Sequence, residues 1–210
     1  MNASTKSNER QKMNTKRIKH ICLLPGHSIQ SEGASLAAGR YRNLGEYAVA
    51  STFLPSLAIE LEKHGYQVSI SERKSAGGTT PYYSAAAANR TNADIALEFH
   101  FNSFSTETAK GTEILYWGKS GTGYEFANLL GIGIAGLIGT VHRGAKPITS
   151  SNDRGFSAFV NSRMPFFMIE PIFGSNPQES IRYGELIHSG KWASEAAALI
   201  HNAIHTVYNS

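Results

Sequence analysis

The sequence predicts an α/β protein: one layered domain whose twisted sheet, mostly parallel or mixed and of about six strands, is flanked by helices. Three observations carry this. Short apolar runs rich in β-branched and aromatic residues recur along the chain, as in Ile18 to Leu24, Ile95 to Phe101, Thr112 to Trp117 and Phe166 to Ile169. Between them lie longer stretches with an apolar residue every third or fourth position, such as Val49, Phe53, Leu57 and Leu61. Several strand-like runs also end on turn residues or polar groups, where ligands of open α/β sheets collect: Pro25-Gly26-His27-Ser28, then His100-Phe101-Asn102, then Glu170-Pro171.

Taken in order, residues 1–17 are polar and basic with almost no apolar content, which predicts a flexible tail ahead of a folded domain over 18–210. A strand from Ile18 breaks at Pro25-Gly26. Residues 28–43 have no periodicity and predict a long loop of the kind that is often functional. A helix follows from Gly45-Glu46 to His64-Gly65, with Pro55 inside it as a kink point. Tyr66 to Ser71 reads as a strand, and Thr80-Pro81 as the start of an alanine-rich helix. After the strands at 95 and 112, a helix is expected from Tyr124 to about Gly139, irregular chain from Gly144 to Phe156, and closing helices, the last over Lys191 to Tyr208.

Charge and cysteine usage remove several function classes. The net charge is +4 over 210 residues. The first twenty residues hold six Lys/Arg against Glu9, leaving fourteen Lys/Arg against fifteen Asp/Glu, so the folded part lacks the basic footprint of a nucleic-acid binder. Cys22 is the single cysteine, which excludes an intrachain disulfide and a cysteine zinc cluster. The run Ile21 to Leu24 is too short for a secretion signal, and Ala127 to Ile138 falls short of the ~20 residues of a membrane span. A protein without its own export signal or membrane span is expected, with a monomer as the default. Gly131-x-Gly133-x-x-Gly136 matches a dinucleotide fingerprint but lies in a helical pattern instead of after a strand, so it predicts helix packing.

The chemistry concentrates on His27, Glu46 and His100, with Glu170 at the end of the last strand. Two histidines and a glutamate form a standard catalytic zinc set that leaves a position for water. Glu98 lies two residues before His100, on the same face of the strand, where it either orients a ligand or competes with Glu46 for the metal. Asn102, Arg143, Asn152 and Arg154 are polar groups available for substrate contact.

In order along the chain, these residues resemble the zinc-dependent N-acetylmuramoyl-L-alanine amidases of the amidase 3 type. Leu24-Pro25-Gly26-His27-Ser28 is similar to that family's Asp-Pro-Gly-His-Gly, and Glu46 opens a helix that closes on Gly65-Tyr66-Gln67-Val68. Glu98-Phe99-His100-Phe101-Asn102 stands where the family has Ser-Ile-His-Ala-Asn, and Met164-Pro165 through Glu170 resembles its terminal segment. Leu24, Ser28 and Glu98 depart from the pattern. The resemblance spans about 18–205 and implies one Zn2+ held by His27, Glu46 and His100, with Glu170 as catalytic acid/base. It implies peptidoglycan as substrate, cut between N-acetylmuramic acid and L-alanine. A compact enzyme without an export signal then looks like a phage endolysin, made in the cytoplasm of a bacterial host and acting on the wall after release. A zinc peptidase of the stem peptides, or an inactive wall-binding module, are the alternatives.

Overall fold

The structure, a computed structural model, describes residues 17–210; the expected tail, apart from Arg17, lies outside the described residues. The elements run β1 (His20–Pro25), α1 (Glu46–Lys63), β2 (Gln67–Ile70), a 3-10 turn (Arg73–Ala76), α2 (Pro81–Thr91), β3 (Ile95–Phe99), β4 (Thr112–Trp117), α3 (Gly121–Ile138), β5 (His142–Ile148), α4 (Phe156–Asn161), β6 (Phe166–Glu170), α5 (Pro177–His188) and α6 (Lys191–Val207). The strands form one six-stranded sheet in the order β2-β1-β3-β6-β4-β5. Pairing is parallel except between β4 and β6, so the sheet is mixed.

Alternation along the strands sorts the core into two layers. Ile21, Leu23, Ile95, Leu97, Phe99, Ile114, Phe167 and Ile169 face the larger helices and pack on Phe53 and Leu57 of α1, Phe126 and Leu130 of α3, and Trp192 and Ile200 of α6. Cys22, Leu24, Ala96, Leu115, Phe166 and Met168 face the other way and meet Ala87 and Ala88 of α2 and Ala158 and Phe159 of α4. By the same alternation Glu98, paired in register with Leu24 and Met168, points to the smaller layer, under α2.

Most elements fall where periodicity put them. Pro55 sits on the exposed side of α1, and the helix runs through it. Gly131 and Gly133 are packing positions: a Cβ on them would lie 2.5 Å from His142 Nε2 and 2.5 Å from Leu199 Cδ2 respectively. Two expectations are corrected. The segment from Gly144 is irregular only over residues 149–155, because β5 (His142–Ile148) covers its first part and α4 begins at its end. β5 has no apolar alternation and carries Pro147, which an edge strand tolerates because one side of its backbone pairs with nothing. α3 begins three residues earlier than its apolar pattern, because the Ser120 side chain accepts a hydrogen bond from the Gly123 N–H and caps a glycine-rich first turn.

Candidate active site

The site lies beyond the carboxyl ends of β1, β3 and β6. The turn after β1 delivers His27 in a left-handed conformation (φ 63°), uncommon for a residue with a side chain and a sign of local constraint. Gly26 precedes it because the His100 ring lies against its backbone: a Cβ there would stand 2.5 Å from His100 Nδ1. Gly33, in the long loop, is closed in the same way by His27 and Glu46, with a Cβ falling 2.6 Å from the His27 ring and 2.7 Å from Glu46 Oε1. Two glycines thus leave space around three candidate donor groups.

Glu46, the first residue of α1, is buried with its carboxylate between the two imidazoles. Oε1 lies 3.3 Å from His27 Nε2 and accepts the Ala34 N–H at 2.9 Å. Oε2 lies 2.9 Å from His100 Nδ1 and accepts the Phe101 N–H at 3.1 Å. Burial opposes its charge, but the two histidines outweigh burial and hold its carboxyl well below the usual range. One donor atom from each of His27, Glu46 and His100 falls within 4.8 Å of the others, the one such group among the described residues. Two nitrogens and a carboxylate oxygen are the donor types that suit zinc, and the space kept by the glycines suits an ion, so the residues fit that metal.

Glu98 approaches His100 from the other side. Its Oε2 lies 3.2 Å from His100 Nε2, a contact not aligned as a full hydrogen bond. Its Oε1 accepts from Arg73 Nη2 at 3.0 Å, Arg73 Nε at 3.2 Å and Ser84 Oγ at 2.5 Å. Glu98 and Glu46 therefore touch different nitrogens of one ring, and Glu98 does not reach into the three-donor group. Burial works against a charged His100, but Glu98 and Glu46 hold its pKa up at about 10.

Glu170 ends β6, buried, with Oε2 lacking a hydrogen-bonding partner among the described residues and Oε1 3.4 Å from Arg154 Nη1. Burial is the largest influence and raises its carboxyl to about 7, against the pull of His100 and Arg154. Its register partner on antiparallel β4 is Glu113. Like charges facing each other across a strand pair repel, and Arg154 offsets this by placing Nη2 2.9 Å from Glu113 Oε2 while reaching Glu170. Glu113 also accepts from Asn102 Nδ2 at 3.0 Å and Arg143 Nε at 2.7 Å, with Lys146 Nζ at 3.8 Å. Asn102, Arg143 and Arg154 are thereby gathered at one carboxylate; Asn152 is exposed in the Ser150 to Arg154 turn and is not among the groups that meet it.

Glu113, Arg73 and Lys146 take part in the arrangement although sequence reasoning assigned them no role there. A signal existed for the first: Glu113, like Glu98, interrupts an apolar strand, and a buried carboxylate needs a cation or donors. Nothing in the sequence said which cations would come.

A family model described as N-acetylmuramoyl-L-alanine amidase matches residues 21–206. Among solved structures, the chain superposes on an N-acetylmuramoyl-L-alanine amidase from Clostridium difficile 630 with TM-score 0.70 at 21% identity, covering 93% of this chain and 99% of that one. The catalytic domain of an endolysin targeting Clostridia difficile gives 0.65 at 24% identity, covering 90% and 97%. The catalytic domain of an N-acetylmuramoyl-L-alanine amidase from Bacillus (Paenibacillus) polymyxa gives 0.63 at 19%, covering 91% and 99%. Comparison with curated proteins returns no match. These structural likenesses establish the fold, and with a family match over nearly the whole described chain, this protein belongs to the N-acetylmuramoyl-L-alanine amidase family, enzymes acting on peptidoglycan.

Proposed function

We propose that the chain is a zinc-dependent amidase that cleaves between N-acetylmuramic acid and L-alanine, with His27, Glu46 and His100 as metal ligands and Glu170 as general acid/base. The observation that carries this is the convergence of three donor atoms within 4.8 Å of one another at the strand ends, among them the buried Glu46 and His100. When bound, zinc supplies a Lewis acid that polarises the scissile carbonyl and acidifies water beside it. Glu170 Oε2, buried and unpartnered among the described residues, receives the proton of the attacking water and returns it to the leaving amine. Glu98 fixes the His100 ring from its far nitrogen, which leaves Glu46 as the third ligand. We further propose that the enzyme serves as a phage endolysin, made in the host cytoplasm and reaching the wall after release, in keeping with the endolysin catalytic domain among its structural neighbours.

The test is metal content, melting temperature and wall hydrolysis of three variants alongside chelated enzyme. Chelation is expected to abolish hydrolysis and zinc to restore it, and His27→Ala and His100→Ala are expected to lose the metal. Glu170→Gln is expected to keep zinc and fold while its rate falls by ~10² to 10⁴. Full zinc occupancy in both histidine variants, or near-normal turnover in Glu170→Gln, would overturn the assignment.

A further inference from the structure

A cleft of ≈ 390 Å³ opens beside Glu170, lined among others by Asn102, Phe104, Glu113, Arg143, Lys146 and Arg154. We propose that this cleft is a subsite for a free carboxylate on the stem peptide, so that the enzyme prefers stems whose second residue is acidic over stems in which that carboxylate is amidated. This rests on the amidase reading and names the substrate feature its neighbouring cleft selects.

Three cations meet a single carboxylate at this cleft. Glu113 pairs with Arg154 through Oε2 and with Arg143 and Lys146 through Oε1; Arg154 also faces Glu170, so even with that carboxylate ionised one positive charge is in excess. Its pull also fixes where the cations stand. The Arg143 guanidinium lies over the Phe173 ring, 5.0 Å from its centroid, so it is held by a cation–π contact as well as by the 2.7 Å bond to Glu113. Arg143, Lys146 and Arg154 keep side-chain exposures of 41%, 40% and 49% while paired with Glu113 and bonded, respectively, to the Lys110 carbonyl, the Arg143 carbonyl and Asn102 Oδ1, so each still faces the cleft. A guanidinium is suited to a carboxylate, which it can meet with two parallel bonds. Glu113 itself would repel that ligand, and it lies nine-tenths buried beneath the cations, with its carboxylate oxygens engaged by them and by Asn102.

Placement selects which carboxylate. Arg154 bridges Glu113 and Glu170, beside which the scissile amide lies on the amidase reading, whereas Arg143 and Lys146 sit on the opposite oxygen of Glu113. They therefore lie past Arg154 from the cut, where the first stem residue with a carboxyl group outside the peptide chain can meet them. Beyond L-alanine that is the second residue, whose α-carboxyl is free when it is D-glutamate and a neutral amide when it is D-isoglutamine.

The experiment uses the zinc-loaded enzyme and two disaccharide tetrapeptides that differ only in D-glutamate or D-isoglutamine at the second position. The expected result is a kcat/KM about 10-fold higher for the acid, carried mainly by KM, the scale of one charge-assisted hydrogen bond. Arg143→Gln and Lys146→Met, each checked for an unchanged melting profile, are expected to bring the ratio towards one. Equal hydrolysis of the two substrates by the parent enzyme would overturn the subsite and leave the amidase reading standing, as would a ratio that survives both substitutions. Failure to cut either substrate would overturn the amidase reading, and the subsite with it.

Discussion

Behind His100, Arg73 and Glu98 form a closed pair, 5% and 0% exposed, with Ser84 Oγ and the Thr79 carbonyl taking up further polar valences. Beside Glu170, Arg143 and Arg154 converge on Glu113 with their side chains 41% and 49% exposed. The chemistry of the two clusters is the same and their physics is not. A pair withdrawn from water must satisfy its own charge, so Arg73 and Ser84 are fixed on Glu98 Oε1, and the remaining oxygen, Oε2, faces His100 Nε2 at 3.2 Å. In the open cluster water screens the cations and shares their donors, so the ensemble tolerates loss of a partner and keeps capacity for another anion. The closed pair is suited to holding a ring in place and the open one to meeting a substrate.

The sharpest way to break this comparison is Arg73→Met. It leaves Glu98 buried without its cation, a loss on the scale of ~3–5 kcal/mol, or about 6–20 °C in melting temperature for a domain of this size. Calorimetry of Arg73→Met and of Arg73→Met/Glu98→Leu checks it, with the double variant recovering much of the loss because no charge is stranded. A melting shift within a degree or two in the single variant would show that the pair is not closed.

Acid should expose the same pair. Burial alone would raise Glu98, but Arg73 and His100 outweigh it and hold its carboxyl at about 2, below the ordinary 4.5. A carboxyl depressed in the folded state contributes stability that is fully present above 4.5 and lost as pH falls from there towards 2. The stability difference between the parent protein and Arg73→Met is therefore expected to shrink over that window in denaturant melts. A constant difference would assign the effect of Arg73 to packing.

Glu113→Gln is the smallest expected effect on stability, about 1 kcal/mol or less, because its cations reach water and the repulsion with Glu170 across the strand pair is relieved. Urea melts that place Glu113→Gln level with Arg73→Met would erase the distinction between the clusters.

Much of this arrangement was legible in the chain itself. Continuous apolar runs in Ile95–Phe99 and Phe166–Glu170 placed two central strands, the four-residue repeat of Val49, Phe53, Leu57 and Leu61 placed α1, and Pro25-Gly26 placed the turn that carries His27. Those signals are local, set by backbone dihedrals and by which side of an element meets water, and they sufficed to put His27, Glu46, His100 and Glu170 at element ends. β5 escaped because an edge strand needs no apolar face, and its basic residues answer to Glu113 instead of to the core. The antiparallel register that sets Glu113 against Glu170, and the passage of the Arg73 turn under β3 to reach Glu98, depend on which distant strands become neighbours. That choice is made by packing of the whole sheet between its two helix layers, and the cations followed because a buried carboxylate is stable only where the fold brings it a partner.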